Sequence, residues 1–177
     1  MPSFETTRFG VLEYAEEAVI QLPEGLIGLP KLQRWLLLDM DDEMPMRWLQ
    51  SLERPDFGVP VMPPVFFADV YDVSTRRISA LGEATEPVTL IIATVHPGGE
   101  RITGNLRAPL VIDTESRRGA QIALDDDRLS TRQDIDYFKF GLAVSGAPLE
   151  NELADGETVS SEAEAADAEA ETAVPGI

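Results

Sequence analysis

His96 is the only histidine in the chain and no cysteine accompanies it, so the usual zinc ligand sets cannot be assembled and thiol chemistry is absent. His96 stands between an apolar run and the turn Pro97-Gly98-Gly99, a setting that exposes it, and spacing fixes no serine or carboxylate beside it as a nucleophilic triad requires. Carboxylates are the abundant chemical resource. Asp39, Asp41, Asp42 and Glu43 form one cluster and Asp125, Asp126 and Asp127 another; geometry alone decides whether either could act as the acid and base of a glycosidase-like hydrolase. The first cluster lacks the alternation, central glycine and closing glutamate of a calcium loop. Both fall where turns are expected, and solvated turn residues are the simpler reading. Gly98-Gly99 has neither the spacing nor the following Lys-Ser/Thr of a phosphate-binding loop. These residues imply no enzyme, no metal and no cofactor.

The charge balance points to a different kind of function. With 32 acidic against 14 basic side chains the formal net charge is -18, which repels phosphate backbones and disfavours direct nucleic-acid binding. The same field attracts basic proteins and makes their association salt-sensitive; it also simply keeps a protein soluble. No apolar run approaches the ~20 residues of a membrane span, and Met1-Pro2-Ser3-Phe4-Glu5 has neither the basic start nor the apolar core of a signal peptide. A cytoplasmic protein with no membrane partner is expected.

A chain of 177 residues with 44% hydrophobic content suits one well-buried domain. The charge divides it. Residues 149–177 carry nine acidic side chains and no Lys or Arg, which leaves -9 on residues 1–148. The run from Ser160 to Glu171 has no large apolar side chain, so it cannot bury enough surface to offset its ordering entropy and is expected to be a disordered acidic tail. Such a tail spans roughly 30 Å, more under self-repulsion, and either solvates the domain or reaches toward a basic partner.

Within residues 1–148 the pattern predicts a mainly β, small antiparallel β-barrel-like domain with one or two short helices. Residues 8–14 and 18–22 read as an opening hairpin turning at Ala15-Glu16-Glu17. Further strands are expected at 35–40, 46–52 and 57–62, and Pro87–Val95, long, β-branched and free of charge, should be central. Ser74 is a candidate cap for a helix through Leu81 ending at Gly82. A helical turn at 30–34 and a helix or ordered arm at 130–138 complete the reading. Adjacent residues on a strand face opposite ways, so one ring of Phe66-Phe67 should leave the inner face, and Phe66 beside Pro63-Pro64 becomes a candidate contact residue.

The crossing Thr103-Gly104-Asn105-Leu106-Arg107-Ala108-Pro109 is the most distinctive segment. Gly104 and Asn105 tolerate positive φ, and Pro109 has no N–H for a ladder. Together with Leu22-Pro23-Glu24-Gly25-Leu26-Ile27-Gly28-Leu29, Leu49-Gln50-Ser51, Asn105–Asp113 and Gly119–Leu124, in that order, the chain resembles the flagellar assembly factor FliW family over residues 4–140.

The resemblance implies a compact barrel-like fold that binds two proteins in turn, flagellin and the RNA-binding translational repressor CsrA. Held by flagellin, such a protein leaves CsrA free to silence flagellin mRNA; released by flagellin secretion, it captures CsrA, and the family points to an allosteric antagonism rather than occupation of the RNA groove. On this reading Gln50, Ser51, Phe66, Asn105 and Arg107 help form the binding surface. The alternative for Gln50, Ser51 and Asn105 is that they satisfy backbone groups at turns. The competing functions are a flagellin-only export chaperone and a carboxylate-dependent hydrolase.

Overall fold

The computed structural model describes residues 1–40, 44–69, 71 and 86–145. The helix expected from Ser74, Asp41 to Glu43 of the first acidic cluster, and the acidic tail lie outside them. Among the described residues there are eleven strands and one helix: β1 Ser3–Thr6, β2 Gly10–Glu13, β3 Ile20–Gln21, β4 Arg34–Asp39, β5 Arg47–Ser51, β6 Gly58–Met62, β7 Pro87–Val95, β8 Ile102–Gly104, β9 Leu110–Asp113, β10 Arg118–Gln121, β11 Gln133–Asp134 and α1 Tyr137–Val144. Single 3-10 turns occupy Glu16–Ala18 and Pro64–Phe66. Among the described residues no helix is long and apolar enough to cross a membrane.

β3-β4-β5-β6-β7-β9-β10 form a ring that closes where β10 pairs with β3. That closing pair is parallel, Arg118 opposite Gln21, whereas the other pairings are antiparallel; the barrel is mixed. β3 and β10 are distant in sequence, so hairpin connectivity does not dictate their direction.

β7 is the hub, as its composition predicts. Its residues Ile91 and Ile92 pair with β6, Pro87 to Leu90 with β9, and Ala93 to Val95 with β8. Leu90 and Ile92 pack in one core cluster with Ile20, Leu22, Trp35, Leu49 and Leu110. Ile91 and Ala93 pack in another with Met62, Phe66, Phe67, Ile102 and Leu106. A strand covered on both faces reads as a continuous apolar run rather than an alternating one. The same explains Leu36-Leu37-Leu38 in β4: Leu37 joins the Trp35 cluster while Leu36 and Leu38 cluster with Phe4 and Leu12 of the N-terminal strands and with Tyr14 just beyond them.

The opening hairpin differs from expectation. β1 pairs with β2, Ser3 opposite Glu13 and Thr6 opposite Gly10, and β3 belongs to the barrel instead. The Thr6 hydroxyl donates to Gly10 O and accepts from Phe9 N, each at 2.9 Å. This side-chain bridge closes a turn that Thr7-Arg8-Phe9 do not announce by composition. Residues expected to turn between strands, Glu16 and Glu17, lie in a 3-10 turn. The helical turn expected at 30–34 reduces to a turn at Pro30-Lys31, and Arg34 already starts β4. The arm expected at 130–138 is real: it pairs through β11 with β8 and then becomes α1, capped by the Asp136 carboxylate accepting from Phe138 N and Lys139 N.

Candidate functional site

The apolar loop Leu22–Leu29 folds back on itself. Leu29 N donates to Leu26 O at 2.7 Å, and Leu26 and Leu29 pack into the barrel core while Ile27 at the tip is 59% exposed. Gly25 makes this possible. Its φ is +66°, and a Cβ there would lie 2.3 Å from Leu29 O, so no other residue fits without moving backbone. The tip is anchored from across the fold: Ile27 N donates to Gln121 Oε1 at 2.8 Å, and Gln121 Nε2 donates to Ala108 O at 3.0 Å. One glutamine therefore ties the first distinctive segment to both closing ones.

Leu49-Gln50-Ser51 joins them through the turn that follows β5. The buried Gln50 Nε2 donates to Ser51 O, Arg54 O and Phe57 O at 3.1, 3.3 and 2.9 Å, and its Oε1 accepts from Trp48 Nε1. Ser51 Oγ, also buried, accepts from Glu53 N and Arg54 N at 3.1 Å each. The turn is docked in place because Glu53 Oε1 accepts from Gln33 N and Arg34 N and Leu52 N donates to Arg34 O. Between this turn and the Leu22–Leu29 loop runs a groove of about 430 Å³ lined by Gly28, Leu29, Pro30, Lys31, Leu32, Glu53 and Arg54. Its polar groups are largely engaged: Glu53 as above, and Arg54 in an ion pair with Asp56 at 2.6 Å that holds the Asp56 carboxyl below its ordinary range. The first family-like segment and the turn that follows the second thus border one apolar groove, and the two closing segments reach it only through Gln121, which holds the exposed Ile27 at its flank.

The residues expected to form a binding surface are distributed over three places. Gln50 and Ser51 shape the groove from beneath and expose no side chain. Asn105 Oδ1 accepts from Arg107 N at 3.1 Å, and Asn105 N donates to Ile92 O. Arg107 is partly exposed and pairs with Asp127 at 3.3 Å. Phe66 lies elsewhere, 3% exposed, in the second core cluster. The expected outward ring is not found because Pro64–Phe66 is a 3-10 turn, not a strand, and Phe67 is buried as well. Ile27, Lys31 and Gln121 were missed by sequence reasoning. The signal for Ile27 was present: three large apolar residues in a four-residue turn cannot all face inward.

Among the described residues the candidate acid–base groups are engaged separately. Asp39 pairs with Arg47 at 2.8 Å. Asp126 pairs with Arg128 at 2.7 Å, whose guanidinium holds the carboxyl down to about 2. His96 Nε2 lies 3.0 Å from Thr103 Oγ1. Among the described residues no three His, Asp or Glu side chains come together as a metal-holding group.

A family model described as FliW protein matches residues 3–135. The flagellar assembly factor FliW of Caldanaerobacter subterraneus subsp. tengcongensis is 33% identical over 135 residues, covering 73% of this chain and 90% of its own length. That of Bdellovibrio bacteriovorus is 34% identical over 137 residues, covering 73% and 77%. A crystal structure of the flagellar assembly factor FliW matches the fold with a TM-score of 0.68 at 25% identity, over 75% of this chain and 96% of that one. Sequence segments, barrel and relatives agree: the chain belongs to the FliW family, which is a family of assembly factors and not of enzymes.

Proposed function

We propose that this chain is a cytoplasmic flagellar assembly factor that holds flagellin and CsrA in turn, and that its capture of CsrA relieves repression of flagellin mRNA allosterically. The observation that carries the reading is family membership across residues 3–135. The two partners call for different chemistry, and the domain offers both. The apolar groove beside Ile27 suits an amphipathic segment such as flagellin's termini present. The -9 of residues 1–148 suits a basic RNA-binding protein, with Asn105 and Arg107 on the neighbouring surface and Gln50 and Ser51 acting through the turn they hold.

The groove's apolar lining also favours a second reading, a chaperone for flagellin alone. Separate titrations of the purified chain with CsrA and with flagellin distinguish the two. Binding of both is expected, the CsrA complex weakening as salt rises and the flagellin complex persisting. A chain that binds neither would end the proposal, and one that binds flagellin only would leave the chaperone. Repeating the titrations with the chain ended at Pro148 assigns or removes a role for residues 149–177.

A further inference from the structure

Helix α1 lies just past the stretch matched by the family model, which ends at residue 135, and rests on residues inside that stretch. Its contacts are specific. Asp136 N donates to Phe66 O at 2.7 Å; the Phe140 ring meets Phe66 edge-on at 6.4 Å; the Lys139 ammonium pairs with Asp69 and reaches Val65 O. The Tyr137 hydroxyl accepts from Ile102 N at 3.1 Å and donates to Glu100 O at 3.2 Å. Yet none of the eight residues of α1 is buried, and Phe138 is 70% exposed.

An isolated helix this short does not persist in water, so α1 is ordered by its seat. The reverse does not hold. The cluster beneath it takes Met62, Ile91 and Ala93 from barrel strands, Phe66 from the 3-10 turn and Met46, Phe67, Ile102, Leu106 and Ile135 from segments outside α1, with Met62 and Ile91 fully buried in it. Of α1, Phe140 and Ala143 pack against this cluster, Phe140 edge-on to Phe66. An element that contributes little to the core and is held at its edge belongs to the part of a fold that opens first.

We propose that α1 is a displaceable occupant of a helix-docking seat formed by Val65 to Asp69 and Glu100 to Ile102, and that lifting it uncovers Phe66 for an amphipathic partner helix carrying, as α1 does, aromatic residues around a lysine. A basic, aromatic helix complements both Asp69 and the negative domain. The proposal rests on the partner-binding reading, but its test needs neither CsrA nor flagellin.

Native-state hydrogen exchange on the full chain is the first measurement. The amides of Phe140 to Ser145 should exchange far faster than those of β5 and β7, and Phe140→Ala should raise their exchange on the order of tenfold, from loss of the ring pair and its packing, with the barrel unchanged. The second uses a labelled synthetic peptide of residues 133–146 in trans. It should bind the Phe140→Ala chain and fail to bind a chain in which Asp69→Cys and Lys139→Cys are joined by a short bismaleimide. Helix amides as slow as the barrel's would overturn the proposal, as would a peptide that ignores the Phe140→Ala chain or binds the locked one equally. Failure of the partner-binding reading shows separately, as missing complexes with CsrA and flagellin while the peptide still binds.

Discussion

Gln50→Leu keeps the approximate volume of a side chain that is 1% exposed and deletes all its hydrogen bonds. The carbonyls of Arg54 and Phe57 retain other donors, Phe57 N and Ser51 N, so the loss there is the net worth of a bond, about 1 kcal/mol each. Ser51 O loses a donor as well, and the Trp48 indole N–H loses its acceptor, worth a further ~1 kcal/mol at its half-buried position. The total is about 3 kcal/mol, a large share of the 5–15 kcal/mol typical of a domain. Urea denaturation followed by tryptophan fluorescence measures it: the midpoint should fall with the slope unchanged. Partner binding by the folded fraction should weaken only as far as the turn at residues 52–57 loosens. A variant whose stability falls by less than ~0.5 kcal/mol while a partner no longer binds would refute the reasoning and make Gln50 a direct contact.

At the exposed tip, Ile27→Asp should leave the melting temperature nearly unchanged, as surface substitutions do, and reduce affinity for the partner that uses the apolar groove by about tenfold or more, read by titration with flagellin. Gly104→Ala places a Cβ 2.7 Å from Ile91 Cγ2 and Phe67 Cε1, and overpacking should cost about 1–3 kcal/mol in a thermal melt. Tyr71 donates to Leu106 O, and burial pushes its hydroxyl up to about 12. Because that lies above the unfolded value near 10, the resulting stability is complete below pH 10 and lost as pH climbs toward 12. The alkaline limb of the stability curve should be shallower in Tyr71→Phe.

The strands could be read from the chain wherever local pattern reflects local environment. Pro87–Val95 appears with the expected bounds, and β4, β5 and β6 start within a residue of the runs that announce them. Closure of the barrel was not readable, because β3 is two residues long and its partner β10 enters from the far end of the domain. The groove was hidden for the same reason: it depends on Glu53 reaching the amides of Gln33 and Arg34, and on Gln121 reaching Ile27. Alternation would turn one ring of Phe66-Phe67 outward only on a strand. Pro63-Pro64 instead starts a 3-10 turn that sends both rings inward. Gln50, Ser51 and Asn105 were candidates for two roles. Their side chains bond to turns; Gln50 and Ser51 are buried, while Asn105 stays partly exposed.

The most direct test of the partner switch is a displacement experiment at constant salt. The full chain is first saturated with CsrA, and flagellin is then added while both complexes are followed by size-exclusion chromatography. Flagellin should release CsrA in proportion to the flagellin complex formed, and CsrA removed in this way should regain RNA binding. A stable ternary complex, or CsrA that stays bound at saturating flagellin, would contradict a switch between the two.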